Sequence, residues 1–265
     1  MPALKLTAYH TTEEQVNALK NDGYVYFPEA LNPDEVKELY ATMDCQEAIP
    51  ESFDRYDTPE SRGFLNRHVN NAFNRDEVFL QYIDRPGIID VVEAIHGEDC
   101  HVIGMTAWMT GPGRPQQGLH VDWLPVPLPA DVVADLRVNV PVFITTLHFY
   151  LDNLTEELGP TQFVPGSHKS GRAPGDDTEW QGNEPESILC NAGDAVLFRS
   201  EVWHRGTANT SDQIRFLLQV HYAHRMITQK FPPYLNQFQF DDAILAKASE
   251  RQLRLLGNHR SGIYD

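Results

Sequence analysis

Between His101 and about residue 226 the chain reads as a succession of short β-rich runs cut by turn signals. No other feature constrains the fold as strongly. His101 to Met109 leads into the turn Gly111-Pro112-Gly113, and Val142 to Leu151, Thr161 to Val164, Ala195 to Phe198 and Ile214 to Tyr222 follow. Runs of this length, rich in β-branched and aromatic residues and bounded by glycine and proline, are strand text. Many of them at modest spacing predict a sandwich or barrel of the jelly-roll type.

Helices flank this core. Thr11-Thr12-Glu13-Glu14 opens a helix with a hydroxyl cap and acids in its first turn, carrying Val16 and Leu19 to a stop at Gly23. Tyr24 to Phe27 then reads as a strand stopped by Pro28, and Asn32-Pro33-Asp34-Glu35 opens a second helix with proline at its first position. Residues 46–75 are polar and irregular, so a surface loop is expected, with Arg62, Arg67 and Asn70 as candidates for a lid over a polar substrate. Glu77 to Ile95 is helix-like, broken at Pro86 and closed by Gly97, and Asp241 to Leu256 is helical again. The expectation is one mainly β domain with flanking helices over residues 1–265. It has a helical N-terminal layer to about residue 98, a β core at about 99–226 and a C-terminal helical segment at about 240–258.

Composition excludes some partners. A chain of 265 residues with 41% hydrophobic and 22% charged residues has ordinary globular make-up, but its formal net charge is -17. Such a field repels phosphate backbones and anionic lipid, which argues against nucleic acid and membrane surfaces as partners. Cys45, Cys100 and Cys190 are dispersed, with neither metal spacing nor a disulfide framework. Met1 to His10 lacks a signal-peptide pattern, and no apolar run reaches membrane-span length. The expectation is a soluble cytoplasmic protein, monomer or homodimer.

Chemistry concentrates in Leu119-His120-Val121-Asp122-Trp123. If this run is extended, His120 and Asp122 leave the same face, a two-point clamp for a divalent metal. Downstream, Gly193-Asp194 and an apolar strand deliver His204 at or just beyond a strand end. Two histidines and one carboxylate on one face of a metal form the facial triad favoured by non-haem Fe(II) oxygenases, with positions left open opposite. Arg215 lies eleven residues beyond His204 (215 − 204), flanked by Ile214, Phe216 and Leu217. Its guanidinium suits a planar carboxylate, either a structural acid or, beside a triad, the distal carboxylate of 2-oxoglutarate.

Taken together, Leu119-His-Val-Asp122, Gly159-Pro-Thr-Gln-Phe-Val-Pro-Gly-Ser-His168, Trp203-His204-Arg-Gly through Arg215, and Asn21-Asp-Gly-Tyr-Val-Tyr-Phe-Pro28 resemble the phytanoyl-CoA dioxygenase family of Fe(II)/2-oxoglutarate-dependent oxygenases. The resemblance implies a double-stranded β-helix (jelly roll, cupin-like) whose mouth holds Fe(II) through His120, Asp122 and His204. It also implies that Arg215 anchors the distal carboxylate of 2-oxoglutarate, that O2 is the oxidant, and that a small metabolite is the substrate; Gln117 and Thr161 match positions that contact the cosubstrate in some members, with a rim loop for Gln117 and a turn cap after Pro160 for Thr161 as the alternatives. Leu158-Gly159 stands where Asn-Gly is usual, a departure that bears on the turn. A filled Asp122 position implies oxygen chemistry rather than halogenation. Trp123, Trp108 and His148 are candidates to meet substrate, each with core packing as the alternative, and His168, His221 and His224 are not expected to be ligands. A zinc or other divalent-metal hydrolase or isomerase on the same ligands is the competing reading, against which a dedicated dicarboxylate anchor speaks.

Overall fold

A computed structural model of the chain describes residues 2–46, 65–133, 135, 137–229, 231 and 237–261. Helix α1 (Thr12–Asn21) begins where the cap pattern places it: Thr11 accepts the Glu14 N–H while the Glu14 carboxylate accepts that of Thr11. Helix α2 (Pro33–Asp44) repeats the device with Asn32 and Glu35. Glu35 also accepts both ends of the Arg85 guanidinium, tying α2 to the turn before helix α3 (Ile88–His96). The helix-like stretch before α3 is a 3-10 helix, Glu77–Tyr82, separated from it by Pro86.

The β core is two antiparallel sheets. The larger runs in the order β1 (Tyr24–Phe27), β7 (Ala195–Arg199), β4 (Ile144–Tyr150), β9 (Arg215–Ala223), β3 (His101–Thr110), β2 (Asn66–Asn70). The smaller runs β6 (Glu186–Ser187), β5 (Thr161–Phe163), β8 (His204–Gly206). A single helical turn, α4 (Ala130–Val133), lies in the connection from β3 to β4, and α5 (Asp242–Leu245) and α6 (Glu250–Leu255) close the chain. No helix among the described residues is long and apolar enough to cross a membrane.

Two expectations change. Residues 66–70, read as part of a surface loop, are an edge strand paired with β3, so Arg67 and Asn70 sit in a sheet; Arg62 lies outside the described residues. Polar asparagines masked this strand, because one of its faces borders a cavity and needs no apolar residue. His120 and Asp122 do not lie on a regular strand: His120 makes an isolated bridge to His204, and the chain bends at Asp122. His204, expected at or just beyond a strand end, lies past the end of β7 and opens β8, in the other sheet.

The core lies on both faces of the large sheet. On the outer face Leu147 and Phe149 of β4, Leu218 and Val220 of β9 and Met105 and Ala107 of β3 pack with Leu19, Leu39, Val91 and Val92 from α1–α3. The inner face turns toward the small sheet, where Phe163 meets Tyr150, Phe198 and Leu217. Each buried leucine, valine or phenylalanine contributes about 1.5–3 kcal/mol, so the helices are held chiefly by this face. The N-terminal strand is also held by a buried acid. The Asp194 carboxylate accepts from Tyr26 Oη at 2.6 Å, Glu29 N at 2.9 Å and Asn191 N at 2.8 Å.

Two distant motifs meet at Gly23. Its φ of +90° is in the region that favours glycine, and a Cβ there would stand 2.5 Å from His168 Nδ1. The turn that ends α1 therefore rests on the imidazole of Pro165-Gly-Ser-His168, consistent with a structural role for His168. Gly23→Ala combines backbone strain with a backbone-borne clash against a buried ring. It should lower stability by about 2–4 kcal/mol, measured by denaturant unfolding; an unchanged midpoint would show that the contact is not needed.

Candidate metal and anion site

The inner faces of three neighbouring strands make the floor of a cavity of about 450 Å³. Alternation assigns their side chains: Thr106, Trp108 and Thr110 from β3; His148 from β4; Arg215, Leu217, Gln219 and His221 from β9. Thr146 sits directly opposite His221 and His148 directly opposite Gln219, and these cross-strand pairs hydrogen-bond. The small sheet and the 114–123 segment form the other wall, with Arg114, Gln117, His120, Asp122, Trp123, Thr161, His204 and Gly206. A wider cleft of about 720 Å³ beside α6 is lined by Glu93, Arg251 and Arg254, in which Glu93 pairs with both arginines.

His120, Asp122 and His204 converge, with one donor atom of each within 4.8 Å of the others. The backbones of the two histidines pair reciprocally, each N–H donating to the other's carbonyl at 2.9 Å. His120 Nδ1 lies 3.0 Å from Gly118 O and His204 Nδ1 2.9 Å from Val202 O. A carbonyl only accepts, so each Nδ1 carries the hydrogen and each Nε2 is left as the ligand atom. His204 Nε2 is 3.4 Å from Asp122 Oδ1. Two ligands at right angles about 2.1 Å from a metal are about 3 Å apart, so this pair already stands near ligand spacing, while the set as a whole, spread within 4.8 Å, has to draw in to hold an ion.

Charge supports the same assignment. Burial works against ionisation of Asp122, but the charge and hydrogen bond of His204 outweigh it and hold the carboxyl well below the usual range. His204 is raised in return: burial disfavours its proton, and Asp122 more than compensates. A divalent ion held by these residues would take the place of that proton. Asp122 Oδ2 is oriented by Thr146 Oγ1 at 2.9 Å. The hydroxyl proton is committed to the carboxylate, so His221 Nδ1, 3.0 Å away, must donate to Thr146. His221 is therefore wired to the site without being one of the three converging ligands.

Arg215 is 6% exposed at the foot of the cavity. Its Nη1 donates to Gly159 O, and its Nε has no partner among the described residues. Burial works against its charge while Tyr150 and Asp152 support it; the Asp152 carboxylate accepts the Phe216 N–H at 2.6 Å, and no acid lies within ion-pair distance of Arg215 among the described residues. Thr161, buried on β5, lies beside the Tyr150 hydroxyl. Gln117 Oε1 accepts the Gly206 N–H at 2.8 Å, leaving only its NH2 group for the cavity.

The three aromatic candidates separate. Trp108 donates its indole N–H to Gln219 Oε1 at 3.1 Å, and Gln219 Nε2 donates to His148 Nε2 at 3.1 Å. His148 Nδ1 then lies 3.3 Å from the Tyr150 hydroxyl, so both its nitrogens are engaged. That is the hydrogen-bonded core histidine of the two readings, kept neutral by burial. Trp108 and Trp123 keep half-buried faces on the cavity, Trp123 beside His221. His224 is away from the cavity and accepts the Met226 N–H. Arg114, Thr146, Gln219 and His221 were not singled out for the site. Arg114 follows the Gly111-Pro112-Gly113 turn and Thr146 reads as strand filler; the β4–β9 register exposes Thr146, Gln219 and His221, and backbone bonds to Asn209 place Arg114.

Thr146→Val keeps the shape but removes the donor that orients Asp122. It should weaken divalent-metal affinity roughly 10- to 100-fold, read by metal titration of the metal-free protein. Wild-type affinity would show that Asp122 needs no such support.

The family model of phytanoyl-CoA dioxygenase (PhyH) matches residues 19–217. Dioxygenase cdmA of Talaromyces verruculosus is 28% identical over 277 residues, spanning 98% of this chain and 88% of that protein. Dioxygenase hkm4 of Aspergillus hancockii is 40% identical over 114 residues, 42% of this chain and 34% of that protein. Among solved structures, the epimerase SnoN in complex with Fe3+, alpha ketoglutarate and nogalamycin RO superposes with a TM-score of 0.61 at 19% identity, covering 80% of this chain and 83% of that one. HygX from Streptomyces hygroscopicus, solved with nickel and 2-oxoglutarate, gives 0.62 at 16% identity, covering 83% and 90%. At these identities the structural likeness establishes the jelly-roll fold, and the family match does the rest. The chain belongs to the phytanoyl-CoA dioxygenase (PhyH) family.

Proposed function

We propose that the protein is an Fe(II)- and 2-oxoglutarate-dependent dioxygenase that oxidises a small-molecule metabolite, by hydroxylation in the simplest case. One observation carries the reading. A two-histidine, one-carboxylate set opens on a cavity whose foot is a buried guanidinium without an acid partner within ion-pair distance among the described residues. The triad alone does not choose between iron and zinc. The unpaired Arg215 favours the dioxygenase, because a hydrolase has no use for a dicarboxylate anchor.

Bound together, Fe(II) and 2-oxoglutarate activate O2, the cosubstrate leaving as succinate and carbon dioxide while the substrate is oxidised. The chain's own share is positioning and shielding. His120 and His204 present Nε2, and Asp122 presents a carboxylate steered by Thr146. Arg215 offers a planar fork to the distal carboxylate of 2-oxoglutarate, with Thr161 and the Gln117 NH2 group as further donors. Trp108 and Trp123 exclude water from the oxidising centre and offer an apolar wall to the substrate. Solved neighbours titled as an epimerase and a carbocyclase show that this fold serves more than one outcome, so the reaction follows from where the substrate is seated.

Anaerobic addition of Fe(II) and 2-oxoglutarate should develop a weak visible charge-transfer band. A protein that binds zinc but never develops it would favour the hydrolase. Asp122→Ala should abolish substrate-stimulated succinate release while the fold persists, and normal turnover would remove Asp122 from the metal set. Arg215→Ala should raise the 2-oxoglutarate requirement roughly 10- to 100-fold, followed as half-saturation of succinate release. An unchanged requirement would place the anchor elsewhere.

A further inference from the structure

We propose that Arg114 is a second guanidinium of the 2-oxoglutarate seat, closing on the distal carboxylate together with Arg215. The inference rests on the function proposed above and adds to it a residue outside the motifs that carried that reading.

Arg114 is 7% exposed, yet among the described residues no carboxylate lies within ion-pair distance of it. Its Nη1 reaches Gly206 O at 3.4 Å and Thr207 O at 3.5 Å, both at the outer limit of a hydrogen bond. A guanidinium has five N–H donors, and the others find no partner among the described residues. The nitrogens without a protein partner are not sealed off but reached from the cavity, so an entering anion can complete the charge. The side chain does not hang from a loose loop. Gly113 N donates to Asn209 O at 2.9 Å and Asn209 N to Arg114 O at 3.0 Å, so the backbone on both sides is pinned.

The placement selects the anion. Arg114 and Gln117 both fold over Gly206, where a Cβ would stand 2.9 Å from Arg114 Nη1 and 3.0 Å from Gln117 Oε1. Gly206 is the register partner of Thr161. Arg215, for its part, donates to Gly159 O, and Gly159 is packed against the Thr207 carbonyl that Arg114 approaches. The two guanidiniums thus reach the same β5–β8 corner, Arg215 at the Gly159 carbonyl and Arg114 at the Gly206 and Thr207 carbonyls, with Thr161 in the strand pair that joins them. They are close enough that Arg215, after burial itself, lowers the pKa of Arg114 to about 10. Two like charges held together beside one hydroxyl call for a carboxylate, whose two oxygens offer about four acceptor positions. The 2-oxoglutarate dianion supplies one at its distal end. The competing role is a strut, in which Arg114 merely fastens the 206–207 carbonyls.

Calorimetric titration of 2-oxoglutarate into Zn(II)-loaded protein separates the two without turnover. Arg114→Met should bind 2-oxoglutarate roughly 10- to 100-fold more weakly, while Arg114→Lys, which keeps the charge, recovers most of the loss. Zinc affinity and the unfolding midpoint without 2-oxoglutarate should stay at wild-type values. Combined with Arg215→Met, the losses should be non-additive, since both residues act on one carboxylate. Wild-type 2-oxoglutarate affinity in Arg114→Met would overturn the proposal. So would a loss shared equally by Arg114→Lys and matched by a lower unfolding midpoint, the signature of a strut. If Arg114→Met does not fold, Arg114→Gln, which keeps N–H donors but no charge, replaces it in the same comparison. Failure of the wild-type protein itself to bind 2-oxoglutarate would remove the parent reading and this one together; failure confined to the Arg114 arm removes this one alone.

Discussion

Strands β4 and β9 are buried on both faces, and the rest of the molecule depends on how alternation divides them. Odd positions of β4 and even positions of β9 carry Leu147, Phe149, Leu218 and Val220 into the layer under the helices. The complementary positions carry Thr146, His148, Gln219 and His221 toward the small sheet. A one-residue slip of either strand would exchange the two sets and put imidazoles into the helical core. The helices on the outer face therefore do more than cover apolar surface: by fixing that face they fix which residues form the site.

Much of this was legible in the residue order, for identifiable reasons. Capping boxes at Thr11 and Asn32 are local hydrogen-bond devices, so α1 and α2 begin where their caps stand. His120, Asp122, His204 and Arg215 carry motif spacing, and the fold brings them to one cavity. The geometry around them was not legible. His120 and His204 come together through one isolated backbone bridge between segments 84 residues apart (204 − 120), which has no periodicity to read. Residues 66–70 look like loop because Asn66, Arg67 and Asn70 are polar, and only pairing with β3 makes them strand. Thr146 and Gln219 have ordinary strand identities, and their importance comes entirely from the residues opposite them.

Polarity in the cavity is set by groups that can act in only one sense. The Asp122 carboxylate only accepts, which commits the Thr146 proton and in turn the His221 Nδ1 proton. The Trp108 indole only donates, which orients the Gln219 amide and makes His148 Nε2 an acceptor. Each wall thus has a fixed donor and acceptor order before any ligand enters, the condition under which electrostatic groups act without reorganising. Arg114 and Arg215 at the foot add positive charge that the nearby protein groups leave largely uncompensated.

The reciprocal bridge between His120 and His204 has a thermodynamic consequence. Where ligands are assembled by the ion itself, much of the binding free energy goes into folding the chain, and release of the ion is a collapse. Here backbone hydrogen bonds set the spacing of the two imidazoles, and a jelly-roll core holds that backbone. Departure of an ion would then be a local event, the two histidine backbones keeping their spacing for the next one.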